Sequence, residues 1–326
     1  MRNYTRWLFR LIGPVLLVIF LLTSDFSKLA ESFSKIIWWP VLLSMALILP
    51  FLWIKSWRWN LLMRELGLQP PTLGYAMVLY TIGLFLGGTT PGQSGDFVKA
   101  WYLRNRGLPL PPVLFSIVLD RLFDFVIMAV LALLSLVTFI DAFPEQLRGS
   151  IQVATLLFAA LILITTPMLM ARRPREWMFG IVARFVPERF RPRFEQLREQ
   201  IGSLSLRPVP LALLIGASAL SAVATMIRIY LLYLALPLGN VPLLAIISST
   251  ALIAILQTLP ISFSGIGVRD GVLIAVLAFY GYNAELAISL SALFLLLNIQ
   301  HIIVGFLVSL RHPLETPPNV TDRVPS

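Results

Sequence analysis

Cysteine is absent from the 326-residue sequence, histidine occurs only twice, and charged residues make up only 13% of it. Without cysteine there is neither a disulfide framework nor a thiolate metal site, and His301 and His312 make no metal set. An ordinary soluble domain carries about 25% charged residues. Here 58% of residues are hydrophobic and the mean hydropathy is +0.84, more apolar surface than a soluble core can bury. Familiar enzyme signatures are missing as well: there is no G-x-G-x-x-G after a strand, no Walker A, no G-x-S-x-G and no H-E-x-x-H. Acidic residues are outnumbered 16 to 26, a net charge of +10, but the basic residues abut apolar segments. That pattern belongs to membrane topology and anionic lipid, so no nucleic-acid partner is expected. No cofactor and no metal are expected either.

What the sequence does have is long apolar segments rich in Leu, Ile, Val and Phe without period-2 alternation, which predict helices and exclude a barrel. Six are long enough to cross a bilayer: about 7–23, 36–54, 113–140, 150–170, 209–236 and 286–310. Residues 74–88 are apolar but short and run into TTPGQSGD. Residues 242–259 run into LPISFSGIGVRD before a short apolar return at 271–283. Each of these predicts a re-entrant helical hairpin. Arg2, Arg6 and Arg10 precede the first apolar run, but no convincing cleavage site follows, so an uncleaved anchor is expected.

Twenty of the 26 Lys and Arg residues fall where a cytoplasmic N-terminus would place them inside, among them Lys55, Arg58, Arg64, Lys99, Arg104, Arg106 and nine arginines between 172 and 207. The positive-inside rule then predicts a multi-pass protein of the cell (inner, cytoplasmic) membrane with both termini cytoplasmic. The order span, span, hairpin, span occurs twice, at about 7–140 and 150–310, and an odd number of crossings inverts the second unit against the first. The tips agree. Pro91 is followed by Ser94-Gly95 and then Lys99, and Pro260 by Ser264-Gly265 and then Arg269, each cation four beyond its glycine. The expected fold is therefore an all-α polytopic membrane protein of two inverted repeats, with six spanning helices plus two re-entrant helical hairpins. It forms a single transmembrane domain over 1–310, with a basic cytoplasmic segment at 171–208 and a disordered, polar, Pro-rich tail at 311–326.

Irregular backbone is tolerated at membrane depth only where protein buries it or a watery cavity lies beside it. The tips should face each other or a cavity, with Gly92, Gly95, Gly265 and Gly267 allowing tight turns and close approach. A helix starting near Asp96 would present N–H donors to an anion such as phosphate. The alternative is that the glycines serve packing alone and Asp96 caps a helix.

The segments Pro91-Gly92-Gln93-Ser94-Gly95-Asp96, Asp120-Arg121, and Ser264-Gly265-Ile266-Gly267-Val268-Arg269-Asp270 after Leu259-Pro260 resemble the lysylphosphatidylglycerol synthase transmembrane region, also called the flippase-like domain family. The resemblance covers about 7–310. It implies a polytopic domain which, in the aminoacyl-phospholipid synthases, moves the modified lipid between leaflets. Two departures stand out. No soluble aminoacyl-transferase domain follows residue 310, so synthase activity is not implied, and Asp270 stands where Glu is more usual.

Asp120 and Asp124 lie four apart on one helix face with Arg121 beside them, too deep for lipid, so they should pair or face a cavity. An Asp–Arg clamp between helices is the structural alternative. Arg228 has no local acid and can grip a lipid phosphate with a planar fork, and Arg269 is similar although Asp270 can neutralise it. His301 reads as a packing residue before a proton relay. The stretches IIWWP and WIKSWRW read as interfacial anchors. Residues 171–208 read as an amphipathic surface element or a solvated connection.

The functional expectation is a non-enzymatic lipid translocator that moves an anionic or phosphate-bearing lipid, a phospholipid or polyprenyl-phosphate type, through a polar cavity between the two tips. The substrate-binding candidates are Gly95, Asp96, Lys99, Asp120, Arg121, Arg228, Gly265, Gly267, Arg269 and Asp270. The alternatives are a membrane-embedded transferase using Asp96 or Asp120, and a structural partner of a lipid or glycan synthase. A homo-oligomer or a synthase partner is compatible with any of these.

Overall fold

The computed structural model describes residues 34, 36–142, 145–202, 208–239, 241–258, 268–282 and 284–314. The apolar run at 7–23 and the second tip, with Gly265 and Gly267, lie outside the described residues, as does 315–326 of the tail. Among the described residues the structure is all-helical. The elements are α1 Trp38–Ala46, α2 Ile48–Glu65, α3 Leu73–Gly88, a 3-10 turn Pro91–Phe97, α4 Val98–Arg104, α5 Leu110–Phe139, α6 Glu145–Met170, α7 Arg172–Phe185, α8 Arg191–Gly202, α9 Pro208–Leu234, α10 Leu243–Thr258, α11 Val268–Phe279 and α12 Ala284–Arg311.

The helix breaks have local causes. Pro50 lacks the N–H that would bond the carbonyl of Ala46, so the chain loosens at Leu47 between α1 and α2 and then continues in the same direction. α2 ends in a Schellman turn: Gly67 takes φ +70°, its N–H bonds the Arg64 carbonyl, and the Leu68 N–H bonds the Met63 carbonyl. α3 starts at Thr72, whose hydroxyl accepts from the Tyr75 N–H at 3.4 Å. α4 stops in the same way as α2, on Gly107 at φ +90°.

Among the described residues, four helical stretches are long and apolar enough to cross a membrane: Trp38–Glu65, Glu145–Thr166, Val209–Leu234 and Glu285–Arg311. Their outward faces carry exposed Leu49, Leu157, Leu161, Val209 and Leu307. Such large apolar side chains in number need lipid around them. This is a multi-pass membrane protein. α5 has 30 residues but carries Asp120, Arg121 and Asp124 in its middle, so its neighbours must satisfy those charges.

The packing is reciprocal. α3 of the first half lies against α12 of the second, α10 of the second lies against α5 of the first, and α2 packs on α9. α7 and α8 pack on each other and close over the α5–α6 end through Phe179, which makes an edge contact with Phe194. The basic segment is thus helical over most of its length.

The structure changes two expectations. Trp59 of the WIKSWRW stretch is not an interfacial anchor: it is fully buried, donates from Nε1 to Ser116 Oγ at 3.1 Å and meets Tyr80 edge-on. Lys55 and Arg58 are not loop residues beyond a span ending at 54, because α2 runs on to Glu65 and carries both into the interior.

Candidate functional site

Lys55 and Arg58 sit one turn apart on α2, and Asp120 and Asp124 one turn apart on α5, so the two pairs meet in register. Arg58 Nε donates to Asp120 Oδ1 at 2.9 Å and Nη2 to the Asp120 carbonyl at 2.9 Å. Its Nη1 donates to Asp124 Oδ1 at 2.6 Å and to Ser218 Oγ of α9 at 2.9 Å. Its Nη2 also donates to Asp124 Oδ2 at 3.2 Å, so the completely buried guanidinium has five acceptors, the full pairing an intramembrane cation needs. Lys55 Nζ binds the second oxygen of Asp124, and the Tyr80 hydroxyl donates to the second oxygen of Asp120.

A second cluster forms on the hairpin. Asp96 Oδ1 lies 2.9 Å from Lys99 Nζ, and Asp96 Oδ2 accepts from Arg121 Nε at 3.0 Å. The Lys99 ammonium stands over the Tyr80 ring, 3.8 Å from its centroid, with Trp59 at 5.1 Å. Tyr80 therefore joins the two clusters, by its hydroxyl to one and by its ring face to the other. Gly83 makes room for Asp96, since a Cβ there would overlap Asp96 Oδ1. Gly95 lies against the Leu86 backbone, with its N–H on Thr90 Oγ1 at 2.7 Å, so its observed role is close packing of the hairpin limbs.

These charges border a cavity of about 310 Å³. Lys55, Asp96, Asp120, Arg121 and Asp124 form the charged side, the first hairpin adds Gly83, Gly87 and Gly88, and the second half adds Ala254, Ile255, Asn298 and His301. Three carboxylates (Asp96, Asp120, Asp124) face four cations (Lys55, Arg58, Lys99, Arg121), a surplus of one positive charge. Arg228 adds another at the wall. Its Nε donates to the Ser44 carbonyl at 3.0 Å, the Ser44 hydroxyl donates back to the Arg228 carbonyl at 2.9 Å, and its Nη2 lies 3.2 Å from His301 Nε2. A guanidinium can only donate, so His301 Nε2 is the acceptor. Among the described residues no group of three or more His, Asp or Glu side chains gathers in a way that could hold a metal.

The sequence-derived candidates thus divide. Asp96, Lys99, Asp120 and Arg121 come together around the cavity, and Arg228 reaches it through His301. Arg269 is buried with Nε on Ser291 Oγ at 2.8 Å and lies 4.0 Å from Asp270, which accepts from the same hydroxyl, and neither residue lines the cavity. Asp120 pairs with Arg58, not with its neighbour Arg121. Asp96 does not act as a helix cap either, because a 3-10 turn precedes α4 and the carboxylate is spent on the two cations. Lys55, Arg58, Tyr80 and Asp124 were the residues missed as site members. The matching one-turn spacing of the two charge pairs was the available signal.

The pattern of the lysylphosphatidylglycerol synthase TM region family matches residues 9–305. The chain belongs to that family. The chain is also similar to a UPF0104 membrane protein of Methanothermobacter thermautotrophicus, 21% identical over 266 residues, which cover 76% of this chain and 78% of that protein. No solved structure matches the chain. The matched residues include the Asp96 and Lys99 turn and the α5 charges, so the cavity lies within the membrane region that defines the family.

Proposed function

We propose that the protein is a lipid translocator: an anionic, phosphate-bearing headgroup enters the charged cavity while its tails stay in the surrounding lipid. The observation that carries this reading is a space of about 310 Å³ bordered by a network of four cations and three carboxylates, set among helices whose outer faces are apolar. Charges at bilayer depth cost at least about 2.5–3.5 kcal/mol each, so a cluster of seven calls for a role that needs them. All three carboxylates are engaged by cations, which leaves none poised as a general base and weighs against the transferase alternative.

The reciprocal packing of α3 on α12 and α10 on α5 supports two inverted repeats within one transmembrane domain over 1–310, with six spans and two re-entrant hairpins. The charge distribution supports cytoplasmic termini in the cell membrane, even after Lys55 and Arg58 are removed from the loop count.

The test is leaflet exchange in liposomes that contain the purified protein alone. A labelled phosphatidylglycerol or polyprenyl phosphate should change leaflet with its chemical composition unaltered. Appearance of a new lipid species in the same vesicles would favour the transferase and contradict this reading.

A further inference from the structure

Two carboxylates reach the cavity with measurable exposure, and each is held by two cations of unequal burial. Asp124 takes Arg58, whose side chain is 0% exposed, and Lys55, 13% exposed. Asp96 takes Lys99, 0% exposed, and Arg121, 17% exposed. The buried cation in each set is fixed by other partners: Arg58 by Asp120 and Ser218, Lys99 by the faces of Tyr80 and Trp59. If the exposed cation turns to a ligand, its aspartate still keeps a buried partner and no charge is stranded. Lys55 and Arg121 are the partly exposed cations of the two sets and both line the cavity, so either can meet a ligand without leaving its aspartate unpaired.

We propose that Lys55 and Arg121 are a two-point clamp for one phosphate on an apolar tail, and that Arg58 and Lys99 hold Asp124 and Asp96 in place while the clamp is engaged. The clamp rests on the translocator reading of the cavity. Size narrows the ligand. A cavity of about 310 Å³ lies at the small end of ligand pockets and suits a phosphate with a small polar substituent. The ligand class is a compact monophosphate headgroup, on either a glycerolipid or a polyprenyl chain. Arg121 offers the planar fork that suits phosphate, and Lys55 adds a point charge.

Native mass spectrometry reads this directly, using protein released from nanodiscs that contain phosphatidylglycerol, a polyprenyl monophosphate, or diacylglycerol with the same acyl chains. Wild type should retain one or both phosphate lipids and shed diacylglycerol, and retention of only one identifies the source. Lys55→Gln and Arg121→Gln should each lower retention about tenfold or more while melting near wild type. Arg58→Gln and Lys99→Gln should instead melt at lower temperature. The clamp is overturned if wild type retains neither phosphate lipid, if diacylglycerol is retained equally, if Lys55→Gln and Arg121→Gln bind as wild type does, or if they melt as low as Arg58→Gln. Failure of the two ideas is distinguishable. Retention through Lys55 and Arg121 without leaflet exchange sinks the translocator and leaves the clamp. Exchange that Lys55→Gln and Arg121→Gln leave untouched sinks the clamp and leaves the translocator.

Discussion

The two halves of the molecule bring different chemistry to the cavity. The first half places Lys55, Arg58, Asp96, Lys99, Asp120, Arg121 and Asp124 in one network around the cavity. Among the described residues, the second half gives that cavity an apolar wall at Ala254 and Ile255 and one cation, Arg228, acting through His301. Its other charge pair, Arg269 and Asp270, is bridged through Ser291 and turned away from the cavity. Among the described residues, charge at the cavity is thus concentrated in the first half. The lesson is that the first half supplies the cavity's charged side and the second its facing wall.

Substitutions should rank accordingly. Arg58→Gln strands Asp120 and part of Asp124, and should cost about 3–5 kcal/mol in thermal or denaturant unfolding, the largest single loss in the protein. A loss no greater than that of Arg269→Gln would break the asymmetry. Arg228→Gln removes the charged hydrogen bond to the Ser44 carbonyl and should cost about 1.5–3 kcal/mol, with leaflet exchange reduced. Gly83→Ala forces Asp96 off its two cations and should cost about 1–3 kcal/mol, with exchange falling further than stability alone explains. Wild-type exchange in Gly83→Ala would detach the hairpin geometry from transport. The smallest effect belongs to Arg269 and Asp270. A double-mutant cycle of Arg269→Gln with Asp270→Asn should give a stability coupling under about 1 kcal/mol and near-normal exchange, because Ser291 mediates the contact and the pair lies off the cavity.

Much of this was legible in the sequence. Among the described residues the apolar runs located most helices to within a few residues, the C-terminal end of α2 excepted, and the tip motif with Asp120-Arg121 pointed to the family and to Asp96, Lys99, Asp120 and Arg121. Partner identity was not legible. Arg58 lies 62 residues from Asp120 and Arg121 lies 25 from Asp96, separations over which only tertiary packing decides who meets whom. Lys55 and Arg58 followed an apolar run long enough to span on its own, so they read as loop cations by a rule that counts charges and not partners. Trp59 was misread for a related reason: its position in a tryptophan-rich stretch says nothing about which helix face it occupies.

The central claim is that a phosphate headgroup crosses through the charged cavity, and the absence of cysteine allows a direct test. Met128 lines the cavity and Leu161 faces outward from α6, so single cysteines at the two positions can be blocked by one bulky thiol reagent in liposomes. The account predicts that blocking Met128→Cys abolishes leaflet exchange of the phosphate lipid while blocking Leu161→Cys leaves it unchanged. Undiminished exchange in fully modified Met128→Cys would contradict it.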